Sequence, residues 1–161
     1  TEGNGWSQVT AELAIERSGP ERYLSSHALL VALIDHVRDR PSPSITALIG
    51  VLTAHVWSLR QMSMSVTAKL AAGEDPMVEA AICKGLGNQF EQDMPRMVQD
   101  ALEIDLMEDS ELAEVLRLLL LVSLSFSLRG GTKEILRGIV ARGLALRCAA
   151  SARDRWKPSP A

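Results

Sequence analysis

Two stretches of this sequence concentrate groups that can do chemistry. One is Gly130-Gly131-Thr132, directly ahead of a helix-forming run that starts at Lys133. The other is Glu16-Arg17, at the end of the segment GNGWSQVTAELAIER. A diglycine before a threonine-capped helix places bare backbone N–H groups beside the positive end of that helix. Such a turn suits a phosphate, a pyrophosphate or a thioester oxygen. It serves equally as an ordinary helix-starting turn. Glu16 offers a carboxylate for proton transfer, or a structural partner for Arg17 or another neighbour in a bundle.

The remaining chemistry-bearing residues point elsewhere. His27, His36 and His55 fall on different segments with no i, i+4 pairing, which makes them surface or core histidines rather than ligands. Cys83 and Cys148 belong to no metal or redox motif and read as packing residues. Met62, Met64, Met94 and Met97 fill gaps. Glu103, Asp105, Glu108, Asp109 and Glu111 lack the glycine-turned twelve-residue loop of a calcium site and read as a solvated connection. No Ser-His-Asp order, P-loop or dinucleotide fingerprint is present.

Helices must position the two stretches. The chain has 161 residues, 47% of them apolar and 4% aromatic. Its core must be built from Leu, Ala, Val, Ile and Met, which favour helices, and no convincing period-two stretch is present. A first helix is predicted from Trp6 to Arg17, after a connection over residues 1–5. A second runs from Pro20 to about Arg40, with Leu24, Ala28, Val31, Ile34 and Val37 as its buried stripe. Pro41 and Pro43 stop it. Ser44 caps a third helix that carries Ile45, Leu48, Leu52, Val56, Leu59, Met62, Val66 and Leu70. Unbroken to Ala72, it is about 43 Å long.

Asp75-Pro76 opens a helix to about Ile104 that presents Met77, Ala81, Phe90, Met94, Met97 and Ala101, kinked or broken at Pro95. A Leu-rich helix follows over Ser110 to Ser127, then one from Lys133 to about Arg147, capped by Thr132. Residues 148–161 read as a frayed tail. The expected fold is all-α, a single antiparallel bundle of four to five helices.

With 17 basic and 20 acidic residues the net charge is −3, which argues against a nucleic-acid footprint. No apolar run is long enough to span a bilayer, and the first residues lack the order of a signal peptide. The expected location is cytoplasmic, away from membranes.

Taken together, Gly130, Gly131, Thr132, Lys133, Glu134 and Ile135, then Ile139, Val140, Ala141 and Arg142, resemble the opening of the last helix in the C-terminal domain of the acyl-CoA dehydrogenase family. Gly5-Trp6 followed ten positions later by Glu16-Arg17 resembles that family's first bundle helix. The resemblance covers nearly the whole chain, from Gly3 to about Arg147. It implies FAD-dependent α,β-dehydrogenation of an acyl-CoA thioester: a carboxylate removes the α-proton and the β-hydrogen leaves as hydride to the flavin. The family places its base either just before the glycine-threonine turn, where this chain has Gly130, or at the Glu of the Glu-Arg pair, which Glu16 matches. Glu12 and Glu21 are the misaligned rivals. By the same resemblance Arg17 and Gly130 lie near the substrate or its CoA, and Gly131, Thr132 and Glu134 match flavin-contacting positions.

Two features depart from the family pattern. The Arg-x-x-Phe-Gly that often reaches a neighbouring subunit's flavin is replaced by Arg40-Pro41-Ser42-Pro43-Ser44-Ile45. The usual Gln and diglycine segment before the last helix gives way to the Leu-rich helix. In hetero-oligomeric branches, including those acting on sterol side-chain CoA esters, some subunits have incomplete flavin sites. The resemblance therefore leaves two readings: a catalytic domain of fatty-acid or sterol degradation, or a non-catalytic partner subunit or oligomerisation module. The family's N-terminal helical and middle β-domains are expected to lie outside these residues, so the chain alone is expected to be inactive. Implied partners are an acyl-CoA, an electron-transfer acceptor protein and other subunits, homo- or hetero-oligomeric through the bundle. No metal is implied.

Overall fold

The computed structural model describes residues 3–144. The described residues are all-helical. In chain order they form α1 (Gly5–Ser18), α2 (Glu21–Leu24), α3 (His27–Val37), α4 (Pro43–Ala71), α5 (Met77–Leu102) and α6 (Glu111–Val122). A 3-10 helix (Ser123–Leu128) and α7 (Lys133–Gly143) complete them.

The central element is α5, which packs against α1, α2, α4, α6, the 3-10 helix and α7. Its composition explains the role. Small residues Ala80, Ala81 and Gly87 let neighbours approach, and Phe90, Met94 and Val98 supply bulk. A Cβ on Gly87 would stand 3.1 Å from the Cβ of Arg22, so glycine there admits α2. The main core joins the second half of α5 to Leu29 and Leu33 of α3, Leu52 and Leu59 of α4, and Leu112 and Leu116 of α6. A smaller cluster of Ala81, Leu136 and Ile139 docks α7.

Several sequence expectations need correction. The first helix begins at Gly5, so the connection is shorter than residues 1–5. The helix expected from Pro20 to Arg40 is two helices. The Ser25 hydroxyl sits between the Glu21 carbonyl and the Glu91 carboxylate, and this side-chain competition for backbone groups ends α2. The break resets the helical phase. Leu24, Val31 and Ile34 are exposed, and the buried face is Leu29, Leu30, Ala32, Leu33 and Val37. A segment apolar all round, Ala28 to Ile34, cannot reveal its buried side by periodicity.

The cap of α4 is Ser42, whose Oγ accepts from the Ile45 N–H at 3.3 Å; Ser44 lies inside the helix. Pro43 then occupies the first turn, where its missing N–H is harmless. The predicted stripe of α4 holds throughout: Ile45, Leu52, Leu59 and Val66 are buried, and Leu48, Val56, Met62 and Leu70 half-buried. α5 runs on through the buried Pro95, and Ala101, expected inside, is exposed. The Leu-rich helix is α only to Val122. Ser125 Oγ and Ser127 Oγ donate to the carbonyls three residues back, at 2.6 and 2.9 Å, in the tighter 3-10 segment. The expected end of the last helix near Arg147, Cys148 and the tail lie outside the described residues.

Candidate functional site

The two chemistry-bearing stretches meet in one cleft of about 490 Å³. α1 contributes Leu13, Glu16 and Arg17, α5 contributes Met77, and the turn before α7 contributes Gly130 and Gly131. Ile135, Ile139 and Arg142 of α7 close it. The walls are apolar, with one carboxylate and two guanidinium groups.

The turn demands glycine. Gly130 and Gly131 have φ of +66° and +113°, in the left-handed region that side chains disfavour. Space adds a second reason at Gly130: a Cβ there would stand 3.0 Å from Glu16 Oε1 and 3.2 Å from Lys84 Cε. Arg17 Nε donates to the Gly130 carbonyl at 2.8 Å. Arg17 is only 5% exposed; burial pushes its pKa down, and the neighbouring Glu16 pushes back. Arg17 therefore braces the turn while edging the cleft.

Glu16 is exposed and opens onto the cleft. Its rivals do not line it: Glu12 is exposed elsewhere on α1, and Glu21 pairs with Arg22 at 3.3 Å. Thr132 holds the N-cap position of α7 in extended geometry, but its hydroxyl makes no capping bond. The backbone bond of Glu134 and the Thr132 hydroxyl instead hold the exposed Glu134 carboxyl below its usual range. Neither Thr132 nor Glu134 lines the cleft. The Trp6 side chain, half of the Gly-Trp opening, lies outside the described residues.

Behind the turn stands a group that sequence reasoning missed. Lys84, Asn88 and Glu91 of α5 and Arg22 of α2 are all buried, each at most 1% exposed. Arg22 Nη1 donates to Asn88 Oδ1 at 3.4 Å and lies 3.9 Å from Glu91 Oε2. Arg22 Nε, Asn88 Nδ2 and Glu91 Oε2 have no hydrogen-bond partner. Burial pushes the Glu91 carboxyl up, against the pull of Ser25 and Arg22. It pushes Lys84 down to about 8, an effect that Arg22 reinforces. One signal was legible: Lys84, Asn88 and Glu91 recur at helical spacing with Ala80 and Ala81, so charge lay on a face that had to be packed.

Lys84 gives a pH prediction. The unfolded chain holds a lysine proton to about pH 10.4, and the folded chain releases it near 8. Stability must therefore rise with pH across that window. Burial holds the Cys83 thiol at about 11, which works the other way and does so in a Lys84→Met variant too. Urea unfolding of the two proteins should show the wild type gaining stability relative to the variant between pH 8 and about 10.4. Parallel pH profiles would contradict it.

Comparison with family profiles, curated proteins and solved structures returns no match. Among the described residues no helix is long and apolar enough to cross a membrane, and no cluster of three acidic, His or Cys side chains could hold a metal ion.

Proposed function

We propose that this chain is the C-terminal helical bundle of an acyl-CoA dehydrogenase, with Glu16 as the base that removes the α-proton of an acyl-CoA thioester. One observation carries the reading: Glu16 of α1 meets the Gly130–Gly131 turn, 114 residues later, in a single apolar cleft. These are the two places where the resembling family puts its base. The chain offers a carboxylate at one and no side chain at the other.

An α-proton beside a thioester is weakly acidic, so its removal needs a base in reach and a stabilised oxyanion. Glu16 supplies the carboxylate oxygen that takes the proton and becomes a neutral carboxyl. Leu13, Met77, Ile135 and Ile139 offer apolar walls to an acyl chain. Arg17 fixes the Gly130 carbonyl, and the absent Cβ of Gly130 leaves room for the Glu16 carboxylate.

The residues at the turn fit the edge of a flavin rather than the whole cofactor. No Cβ obstructs approach to Gly131. The anionic Glu134 suits a hydroxyl donor and would repel a pyrophosphate. The hydride chemistry at the β-carbon belongs to bound flavin. The test is flavin reduction by acyl-CoA in the holoenzyme carrying Glu16→Gln.

A second reading, a non-catalytic partner subunit or assembly module, gains support from the surface. Leu118, Leu121, Leu124 and Leu128 are all more than half exposed along α6 and the 3-10 helix. Such rows drive association. The chain should self-associate in sedimentation at roughly 10–100 µM, the range of ordinary weak interfaces, and replacing Leu121 and Leu128 by Lys should disperse it. A monomer of the unmodified chain at these concentrations would contradict the prediction.

A further inference from the structure

The turn at the cleft is held from beneath as well as from the side. Arg17 Nε takes the Gly130 carbonyl at 2.8 Å, and Lys84 Nζ donates to the Phe126 carbonyl at 3.4 Å. The stem of Lys84 and the carboxylate of Glu16 approach the same point above Gly130, to within 3.2 and 3.0 Å of where a Cβ would stand. Lys84 is fully buried, so it cannot itself meet a ligand in the cleft. We propose that Lys84 is a positioning residue: its buried ammonium holds the end of the 3-10 helix that leads into the Gly130–Gly131 turn and so sets the geometry in which Glu16 works. The proposal rests on the reading of Glu16 as the base.

The physical case comes from cost and placement. A buried lysine away from water is expensive unless its charge is used. The charged groups that act on Lys84 are Arg22 from α2, Glu91 from its own helix, Arg129 from the turn and Glu16 from α1. Three of the five charges in that group are cations, so Lys84 is not explained as a balanced internal ion pair. What its ammonium does have is the Phe126 carbonyl, near the C-terminal end of the 3-10 helix, where a cation is favoured. Loss of the proton removes the charge and leaves only a weaker neutral-amine donor to that carbonyl, so one of the two anchors slackens. With Lys84 titrating near 8, the hold weakens just above neutral pH.

The test needs no ligand in its first arm. Carbon-detected NMR of this chain should show the Gly130 carbonyl and the Lys84 Cε titrating together near pH 8, and Lys84→Met should abolish the Gly130 transition. The second arm uses the holoenzyme. Lys84→Met should slow flavin reduction by acyl-CoA about tenfold or more at pH 7, as misplacement of a reacting group does. The deficit should shrink to within about twofold at pH 9.5, where wild-type Lys84 is itself largely neutral. A merely structural lysine would give a deficit independent of pH.

The proposal is overturned if Gly130 shows no transition near the Lys84 midpoint, if the transition survives in the variant, or if the deficit is the same at both pH values. Should Lys84→Met fail to fold, coincidence of the two wild-type midpoints decides alone. Glu16→Gln separates the two ideas. Unimpaired reduction in that variant removes the base reading, while the Gly130 titration still reports on what Lys84 does to the turn.

Discussion

Replacing Glu16 by Gln in the flavin-loaded enzyme should slow flavin reduction by acyl-CoA by about 10²–10⁴, the usual worth of a positioned general base. The amide has the size of the carboxylate and cannot take a proton. Glu16 is exposed, so the fold does not depend on its charge. Arg17 keeps its bond to the Gly130 carbonyl in the variant, and the cleft keeps its walls. Binding of FAD and of acyl-CoA should therefore persist while the chemical step fails. Stopped-flow reduction within about threefold of wild type, a barrier change below about 0.7 kcal/mol, would remove Glu16 from the role. Gly130 cannot substitute for it, and neither Glu12 nor Glu21 lines the cleft. The base would then have to come from outside the described residues.

The largest expected loss of stability lies one layer deeper. Glu91→Ala should destabilise the fold by about 3–5 kcal/mol, the cost of leaving buried charge without its partner. Glu91 is the only buried anion in the group, and without it Arg22 keeps only the more exposed Glu21 as an ion-pair partner while Lys84 loses its one buried counter-charge. The Ser25 hydroxyl would lose its carboxylate partner as well. For a chain of this size the melting temperature should fall by roughly 10 °C. Glu91→Gln, which keeps an acceptor for Ser25, should cost less. Glu79→Ala, which breaks a solvent-exposed pair with Lys69, should hardly move the midpoint. Calorimetry that ranks Glu79→Ala with Glu91→Ala would refute this account of the buried group.

Much of the scaffold was legible because α4 and α7 carry plain signals. Eight apolar residues at three- and four-residue steps left one reading for α4, and Gly131-Thr132 marked where α7 starts. Glu16 and the diglycine turn were singled out through the family resemblance, and the structure places both on one cleft, a meeting that no local pattern encodes. Other features were hidden for physical reasons. The α2–α3 break depends on a serine bridging to a carboxylate 66 residues away, which no local pattern encodes. Thr132 has the residue type of a cap, but its hydroxyl faces Glu134 instead. Lys84 and Glu91 carry no such plain signal, since charge on a helix is ordinarily solvated; the packing of α2 across Gly87, and of the 3-10 helix and the Gly130 turn over Lys84, encloses them.

The central place of α5 also dictates an order of assembly. α1, α2 and α4 precede α5 in the chain, yet each packs on this helix, which starts at residue 77 and ends at 102, while α3 finds its main partner in the still later α6. During synthesis the α1, α2 and α4 faces that pack on α5 stay uncovered until α5 emerges. The two halves of the cleft wait longer still, since Glu16 and its turn are separated by 114 residues. Loop closure over such a span is slow compared with helix formation. Pulse-labelled hydrogen exchange during refolding should therefore protect α4 and α5 amides before those of the turn at 129–132. The site then takes shape only after the α4–α5 core it rests on, and a local opening that parts α1 from α7 would undo it without unfolding that core.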